Sequence, residues 1–162
     1  MRGITPMLWY DKEAEEAANF YCSIFKNSKV THVSRYAGGE VSEKSGMPAG
    51  TVMTAEFEID GQKFVALNAG PMFKFTEAVS FVINCENQEE VDYYWEKLTA
   101  DGGQESMCGW LKDKYGLSWQ IIPNTLMKLM SDKDQVKSQR VMQAMLKMRK
   151  IDIKKLDEAY KG

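Results

Sequence analysis

The chain has 162 residues, of which 44% are hydrophobic and 27% are charged, a size and composition that suit one well-buried globular core. Its formal net charge of −2 at pH 7 gives no general attraction for polyanions, so nucleic acid is not expected as a partner. No apolar run approaches the roughly 18 residues that cross a bilayer, and residues 1–6 lead into a strand rather than a signal peptide, so we expect a cytoplasmic protein without a membrane partner.

The first half of the chain predicts a strand, a helix and three further strands. Residues 4–10 are apolar, and Asp11 is a candidate N-cap for a helix whose apolar residues recur at three- and four-residue spacing. Residues 30–36 alternate as a strand does. Residues 37–48 are rich in glycine and serine, which predicts a loop long enough to act as a mobile lid.

A hairpin follows, and its turn is the clearest local signal in the chain. Asp60-Gly61 separates two alternating runs, 51–59 and 62–68, which predicts a two-residue type I′ turn. This turn places Phe57 opposite Phe64 and Ala55 opposite Ala66. One face of the hairpin then carries an apolar set that is compatible with a cleft lining or with an ordinary core: Met53, Ala55, Phe57, Phe64 and Ala66, with the Asn68 amide at its end.

The same order begins again after a linker at residues 69–78. Residues 79–85 predict a strand, and residues 87–100 predict an amphipathic helix in which Asn87 and Glu90 form a capping pair. Residues 104–123 predict the remaining strands, with a hairpin formed by 107–113 and 117–123. After Pro123 the pattern becomes helical over 126–130, 135–150 and 153–160.

The repeated order predicts an α+β fold. Two βαβββ modules, at residues 4–68 and 79–123, would form one U-shaped mixed sheet with flanking helices and a C-terminal helical tail at 124–162. We expect these parts to make up a single domain over residues 1–162.

The three cysteines, Cys22, Cys85 and Cys108, are odd in number and far apart. This spacing matches neither a disulfide framework nor a Cys-x-x-Cys metal site, so we expect reduced thiols. The single histidine, His32, lies in the second predicted strand and has no nucleophile at a recognisable spacing, so no catalytic residue is assigned.

Several segments carry a family resemblance. The motif Gly109-Trp-Leu-Lys-Asp-Lys-Tyr-Gly-Leu-Ser-Trp-Gln-Ile-Ile-Pro123, together with residues 4–11, Phe20-Tyr21 and the tail from Arg140 to Asp152, resembles the PhnB-like, or 3-demethylubiquinone methyltransferase-like, family of the vicinal oxygen chelate superfamily, which includes glyoxalases, bleomycin resistance proteins and dioxygenases. The resemblance implies the paired βαβββ fold. It also implies a divalent metal held by residues at strand positions in both modules.

At the positions where that resemblance implies metal ligands, this chain carries neutral groups. They are Asn68, Ser80 and Gln120, and residues 4–10 contain no His, Asp, Glu or Cys. Neutral amides and hydroxyls hold a divalent cation poorly, so we expect no metal and no other cofactor. We also expect no methyl transfer, because no loop rich in Gly-x-Gly follows a strand to hold a nucleoside cofactor.

Three functional classes remain. The first is a metal-free protein that binds an unidentified small molecule in the cleft of the sheet, or an enzyme there whose chemistry relies on hydrogen bonding. The second is a metal-dependent lyase, transferase or dioxygenase, and the third is an interaction module without catalysis. The methionine-rich tail and the exposed sheet edges predict a homodimer. The expected ligand-binding residues are Trp9, Met53, Phe57, Phe64, Asn68, Ser80, Val82, Trp110 and Gln120.

Overall fold

The computed structural model describes residues 3–162 and divides into two compact units. The first unit ends at Lys74, and the second extends from Phe75 to Gly162. The boundary therefore falls inside the linker predicted at residues 69–78. No helix among the described residues has both the length and the apolar character needed to cross a lipid bilayer.

The first unit contains a four-stranded mixed sheet with the strand order β1-β4-β3-β2. β1 pairs with β4 in parallel, whereas β2, β3 and β4 pair in antiparallel fashion. The elements of the unit are β1 (Met7–Tyr10), α1 (Ala14–Ile24), β2 (Ser28–Arg35), α2 (Glu40–Ser45), β3 (Val52–Ile59) and β4 (Gln62–Asn68).

The register of the β3–β4 hairpin is confirmed. Phe57 pairs with Phe64 and Ala55 with Ala66. Asp60 and Gly61 have φ values of 46° and 82°, and two successive positive φ angles are what a type I′ turn requires. A local turn signal is thus enough to fix the register of the two strands that the turn connects.

The core of the first unit lies between this sheet and α1. The ring of Phe57 stacks on the ring of Phe64 at 5.2 Å and on that of Tyr21 in α1 at 5.9 Å. Ala14, Ala17 and Ala18, which allow close approach of the helix, are fully buried. Of the two possibilities left open by the sequence, the hairpin face that carries Phe57 and Phe64 is therefore the core face.

The second unit repeats the topology of the first. Its sheet has the order β5-β8-β7-β6, again with a parallel pair at one edge, β5 with β8, and antiparallel pairs beside it. The predicted α+β class, with two βαβββ modules and a helical tail, is confirmed. The elements are β5 (Ser80–Cys85), α3 (Gln88–Thr99), a 3-10 turn (Ala100–Gly102), β6 (Gln104–Glu105), β7 (Trp110–Lys112), β8 (Ser118–Pro123), α4 (Asn124–Met130), α5 (Gln135–Met145) and α6 (Ile153–Lys161).

Two elements of the second unit are shorter than predicted. β7 extends only from Trp110 to Lys112 rather than over 107–113, because Cys108 and Gly109 before it have positive φ angles of 59° and 83°. After it, the carboxylate of Asp113 accepts hydrogen bonds from the backbone N–H groups of Tyr115 and Leu117, which closes a turn. α5 ends at Met145 rather than at residue 150. Beyond it, the carbonyls of Met148 and Arg149 accept the N–H groups of residues 108 and 109 instead of continuing the helix.

The helical tail packs on the end of β8 and forms an apolar cluster of its own. Lys150 pairs with Asp92 at 2.6 Å, and the side chain of Gln88 bonds both the carbonyl of Ile151 and the N–H of Ile153. These polar contacts attach the tail to α3. The buried members of the cluster are Ile122, Leu126, Val141, Met148, Ile151 and Leu156.

Candidate functional site

Each sheet has one face packed against its helix and one face turned away from it, which we call its distal face. In the first unit, Leu8 and Tyr10 of β1 are buried, whereas Trp9 between them is only half-buried. Because side chains alternate along a strand, Trp9 points away from α1. The cross-strand partners of Trp9 on this face are, in order across the sheet, Leu67, Thr54 and Ser34.

Met53 joins this face because of a β-bulge. Ser34 pairs with Thr54 while the next residue, Arg35, pairs with Val52, so Met53 is an extra residue in β3. A bulge reverses the alternation beyond it. Val52 is consequently buried, with 8% of its surface exposed, and Met53 lines the same pocket as Trp9.

That pocket is an open cavity of about 800 Å³ at one end of the first sheet. The ends of β1, β2 and β4, the start of β3, helix α2 and the segment after β4 all contribute to it. Its walls are mainly apolar, with one ammonium and one serine hydroxyl among the side chains. The lining residues are Trp9, Tyr36, Val41, Lys44, Ser45, Met53, Leu67, Ala69, Gly70, Pro71 and Met72.

The indole of Trp9 is fixed within this wall. Its Nε1–H donates a 2.8 Å hydrogen bond to the carbonyl of Gly70, and its ring meets that of Phe73 edge to face at 4.9 Å. The phenol of Tyr36 donates to the carbonyl of Asn68 at 2.5 Å. The polar ends of both rings are thus occupied within the protein, so the part of the half-buried Trp9 that lines the cavity is apolar.

Helix α2 occupies the segment for which the sequence predicts a loop. Glu40–Ser45 forms a six-residue helix between Gly39 and Gly46, both of which have positive φ angles. The helix supplies Val41, Lys44 and Ser45 to the pocket. The glycines and serines of residues 37–48 predicted a loop, and the glycines do lie where the chain leaves helical geometry. The same composition gave no indication of the short helix between them.

Three residues expected at the site lie on the α1 side of the first sheet. Phe57 and Phe64 belong to the ring stack with α1, and they are 1% and 6% exposed. Asn68 Oδ1 accepts the N–H of Ala14 at 2.8 Å, and its Nδ2 donates to the carbonyl of Val52 at 3.1 Å. The structure does not bring these three side chains together with Trp9 and Met53.

In the second unit the expected residues share the distal face. Val82 pairs with Gln120, and Gln120 pairs with Trp110, so the three form one row across β5, β8 and β7. Gln120 Nε2 donates a 3.0 Å hydrogen bond to Ser80 Oγ. The structure therefore brings all four expected residues of this unit, Ser80 included, onto one surface.

A second row on this face was not predicted from the sequence. Ser80 pairs with Ser118, and Ser118 pairs with Lys112. Lys112 Nζ lies 2.8 Å from Glu77 Oε1, and this hydrogen bond holds the pKa of the Glu77 carboxyl below its usual value. Ser118 lies two residues before Gln120 in β8, and side chains two residues apart in a strand share a face. This spacing could have identified the second row from the sequence.

The donor set does not fit a divalent metal. Both polar atoms of the Asn68 amide are used within the protein, and the Ser80 and Gln120 side chains are neutral and bonded to each other. Within residues 3–162 there is no group of three or more His, Cys, Asp or Glu side chains arranged to hold a metal ion. Uncharged oxygens leave the charge of a divalent ion uncompensated.

Comparison with known proteins places these features in a wider group. A model of the family described as 3-demethylubiquinone-9 3-methyltransferase matches residues 2–122. The PhnB protein from Bacillus cereus shares 36% sequence identity and a TM-score of 0.65, over 75% of this chain and 99% of that one. The three tail helices begin at Asn124, beyond the family match.

More distant structures share the fold alone. Protein PA1353 from Pseudomonas aeruginosa is 17% identical, with a TM-score of 0.61 over 76% of this chain and 98% of its own. FosX, a fosfomycin resistance protein from Listeria monocytogenes, is 18% identical, with a TM-score of 0.55 over 78% of this chain and 94% of its own. No curated protein matches the chain.

Proposed function

This chain belongs to the 3-demethylubiquinone-9 3-methyltransferase, or PhnB-like, family of the vicinal oxygen chelate superfamily, and we propose that it binds a small molecule without the help of a metal ion. In this proposal Trp9 and Met53 contact ligand in the first unit. Ser80, Val82, Trp110 and Gln120 contact ligand in the second.

The cavity of the first unit carries the proposal. A volume of about 800 Å³ lies within the range usual for small-molecule sites, roughly 300–1,000 Å³. Mostly apolar walls with few polar groups are typical of such sites. The side chains of Trp9, Met53 and Leu67 favour an apolar or aromatic ligand.

Methyl transfer is not part of the proposal, although the family description names it. A nucleoside cofactor is usually held by a glycine-rich loop between a strand and a helix. Here the connections that lead from a strand into the long helices α1 and α3, residues 11–13 and 86–87, contain no glycine. The connection between β2 and α2 does contain Gly38-Gly39, but it has no Gly-x-Gly spacing and leads into a helix of only six residues. Any chemistry on the ligand would have to rely on hydrogen bonding and apolar contacts.

Native mass spectrometry of the protein purified from cells tests the proposal. We expect a retained small molecule that is released on denaturation. Ala69→Trp would fill the cavity that Ala69 lines and abolish retention, whereas Ala78→Trp, at an exposed position outside it, would not. If the Ala69→Trp variant retained the small molecule fully, the cavity could not be its binding site.

The metal-free part of the proposal has a separate check. Elemental analysis after gel filtration should find no stoichiometric nickel, zinc or manganese, and adding these ions after chelation should not change ligand retention. A metal present at one equivalent per chain would contradict the proposal and favour the metal-dependent alternative.

We also propose that the protein is a cytoplasmic homodimer. Large apolar side chains such as Met7, Val136 and Leu146 are 62%, 65% and 56% exposed, and a two-fold interface with a second copy is a common way to cover such surface. Cys22, Cys85 and Cys108 are free thiols, which supports a reducing compartment. Sedimentation at twice 18.5 kDa is the expected result, and a stable monomer at micromolar concentration would contradict it.

A further inference from the structure

We propose that the second distal face contains an oxyanion site, formed by Ser80, Ser118 and Lys112, which binds the carboxylate of a small aromatic acid. This inference rests on the proposed function, because it assigns a chemical class to a ligand contacted by Ser80, Trp110 and Gln120. It adds Ser118 and Lys112, which neither the sequence nor the comparisons assigned.

Ser118 provides the first observation. Its residue is 1% exposed, and its Oγ has no hydrogen-bond partner among residues 3–162. Buried hydroxyl groups are normally hydrogen-bonded, and an orphan donor costs stability that a ligand acceptor would restore. The strand register places Ser80 and Lys112 directly on either side of it.

Lys112 provides the second observation. Its ammonium is already bonded to a carboxylate, that of Glu77 at 2.8 Å, and the side chain of Glu77 is 65% exposed. An exposed ion pair of this kind contributes little to stability and can be exchanged for another partner. The carboxylate of Glu77 therefore shows how a ligand carboxylate would meet Lys112.

The hydrogen bond between Gln120 and Ser80 leaves the required donors available. Gln120 Nε2 donates to Ser80 Oγ, so the hydroxyl proton of Ser80 is free to be donated in turn. In the proposed complex the Gln120 side chain, which this one 3.0 Å bond holds, rotates so that the ligand reaches the Ser118 hydroxyl. Two hydroxyl donors and one ammonium then converge on a single carboxylate.

The neighbouring row explains why the ligand would be aromatic. Val82, Gln120 and Trp110 lie two residues further along the strands, about 7 Å away at the usual rise per strand residue. This separation matches the length of a benzoate ion from its carboxylate to the far edge of its ring. The indole of Trp110 and the side chain of Val82 supply the apolar contact.

Benzoate is the probe for this site, with benzamide as its neutral counterpart and inorganic phosphate as a non-aromatic anion. Titrations of the ¹⁵N-labelled full chain should shift the backbone signals of Ser80 and Ser118 and the side-chain amide of Gln120. We expect benzoate to bind at least tenfold more tightly than benzamide or phosphate, because benzamide lacks the negative charge that strengthens the hydrogen bonds and phosphate lacks the ring that contacts Trp110 and Val82.

Variants assign the effect to individual side chains. Lys112→Met should weaken benzoate binding by roughly tenfold and Ser118→Ala by a few-fold, whereas Glu77→Gln should strengthen it by up to about fivefold by releasing Lys112. Ser118→Ala should not lower the melting temperature, because it removes an orphan hydroxyl. A merely structural serine would lose stability instead. Lys114→Met is the matched control and should bind like the parent chain.

Three results would overturn the site: equal affinity for benzoate and benzamide, unchanged binding by Lys112→Met, or shifts confined to the first unit. Phosphate binding as tight as benzoate would overturn the aromatic class. These outcomes are separable from failure of the proposed function, because the cavity variant Ala69→Trp should leave benzoate binding unchanged. Loss of benzoate binding in that variant would place the probe in the first unit and contradict the inference.

Discussion

Asn68 and Ala14 are 54 residues apart in the sequence, yet Asn68 Oδ1 accepts the backbone N–H of Ala14 at 2.8 Å. Helix α1 begins at Ala14, and Glu13, its local N-cap residue, makes no side-chain capping bond. The cap comes instead from the end of β4. Asn68, for which the sequence resemblance implied a metal-ligand position, is thus a structural clamp between the sheet and the helix.

We expect Asn68→Ala to lower the free energy of unfolding by about 2–4 kcal/mol. The substitution leaves the N–H of Ala14 and the carbonyl of Val52 buried without their partner. Urea denaturation measures the change. Asn19→Ala, on the exposed side of α1, is the control and should change stability by less than about 0.5 kcal/mol. Equal effects of the two substitutions would refute the clamp.

Gly109 and Gly116 form a matched pair for testing backbone strain. Both have positive φ angles, of 83° and 85°. A Cβ at Gly109 would lie 2.9 Å from the carbonyl oxygen of Ile121, whereas one at Gly116 would meet nothing within 4 Å. Gly116→Ala should therefore cost about 1 kcal/mol for conformation alone, and Gly109→Ala should cost at least about 2 kcal/mol more. Thermal melts of both variants decide the comparison, and equal costs would contradict the close approach.

Cys85 should resist alkylation in the folded protein. Burial, with a smaller effect of the nearby Glu90 charge, raises the pKa of the Cys85 thiol to about 12. The thiolate that reacts with iodoacetamide is then scarce at pH 8. Peptide mapping should find Cys85 modified only after denaturant is added, and rapid labelling of native protein would contradict this.

The same thiol gives a stability change at alkaline pH. Its pKa in the folded chain lies above the unfolded value of about 8.5, so the unfolded chain loses this proton first. The resulting stabilisation is complete below about pH 8.5 and is lost as pH rises towards 12. Cys85→Ala should lack this component, which urea denaturation of both proteins from pH 8 to 10.5 can measure. Identical pH dependence would argue against the raised pKa.

Asp113 should be essential to the turn after β7. Its carboxylate is 2% exposed and accepts from the N–H groups of Tyr115 and Leu117 and from Trp119 Nε1, the last at 2.8 Å. Asp113→Ala leaves three buried donors without an acceptor and should lower the free energy of unfolding by about 3–5 kcal/mol. Asp113→Asn keeps one acceptor oxygen and should cost less. Chemical denaturation of both variants tests the order, and a reversed order would contradict it.

The sequence was sufficient where local chemistry decides the structure. Asp60-Gly61 predicted the hairpin register, and Asn87 was correctly predicted as a cap, since its side chain accepts the N–H of Glu90 at 2.9 Å. Turn geometry and capping depend on residues a few positions apart. For this reason they can be inferred from one sequence without knowledge of the rest of the chain.

It was insufficient where a distant contact decides the structure. Alternation separates two faces of the hairpin, but only the position of α1 shows that Phe57 and Phe64 form the core. No glycine marks the bulge at Met53, so its reversal of the alternation was invisible. The end of α5 depends on carbonyl bonds to residues 108 and 109, which lie in another part of the second unit.

The bulge at Met53 takes the residue that lines the cavity out of the regular alternation with the residues that form the core. In a regular strand, residues that face a cavity alternate strictly with residues that face the core, so each cavity-facing residue lies between two core residues. Here the extra residue lines the cavity, while Val52 before it and Ala55 two positions after it remain buried. Substitutions at position 53 would therefore change the size and polarity of the cavity without changing the residues of the core. This position is where ligand specificity could evolve at the least cost to folding.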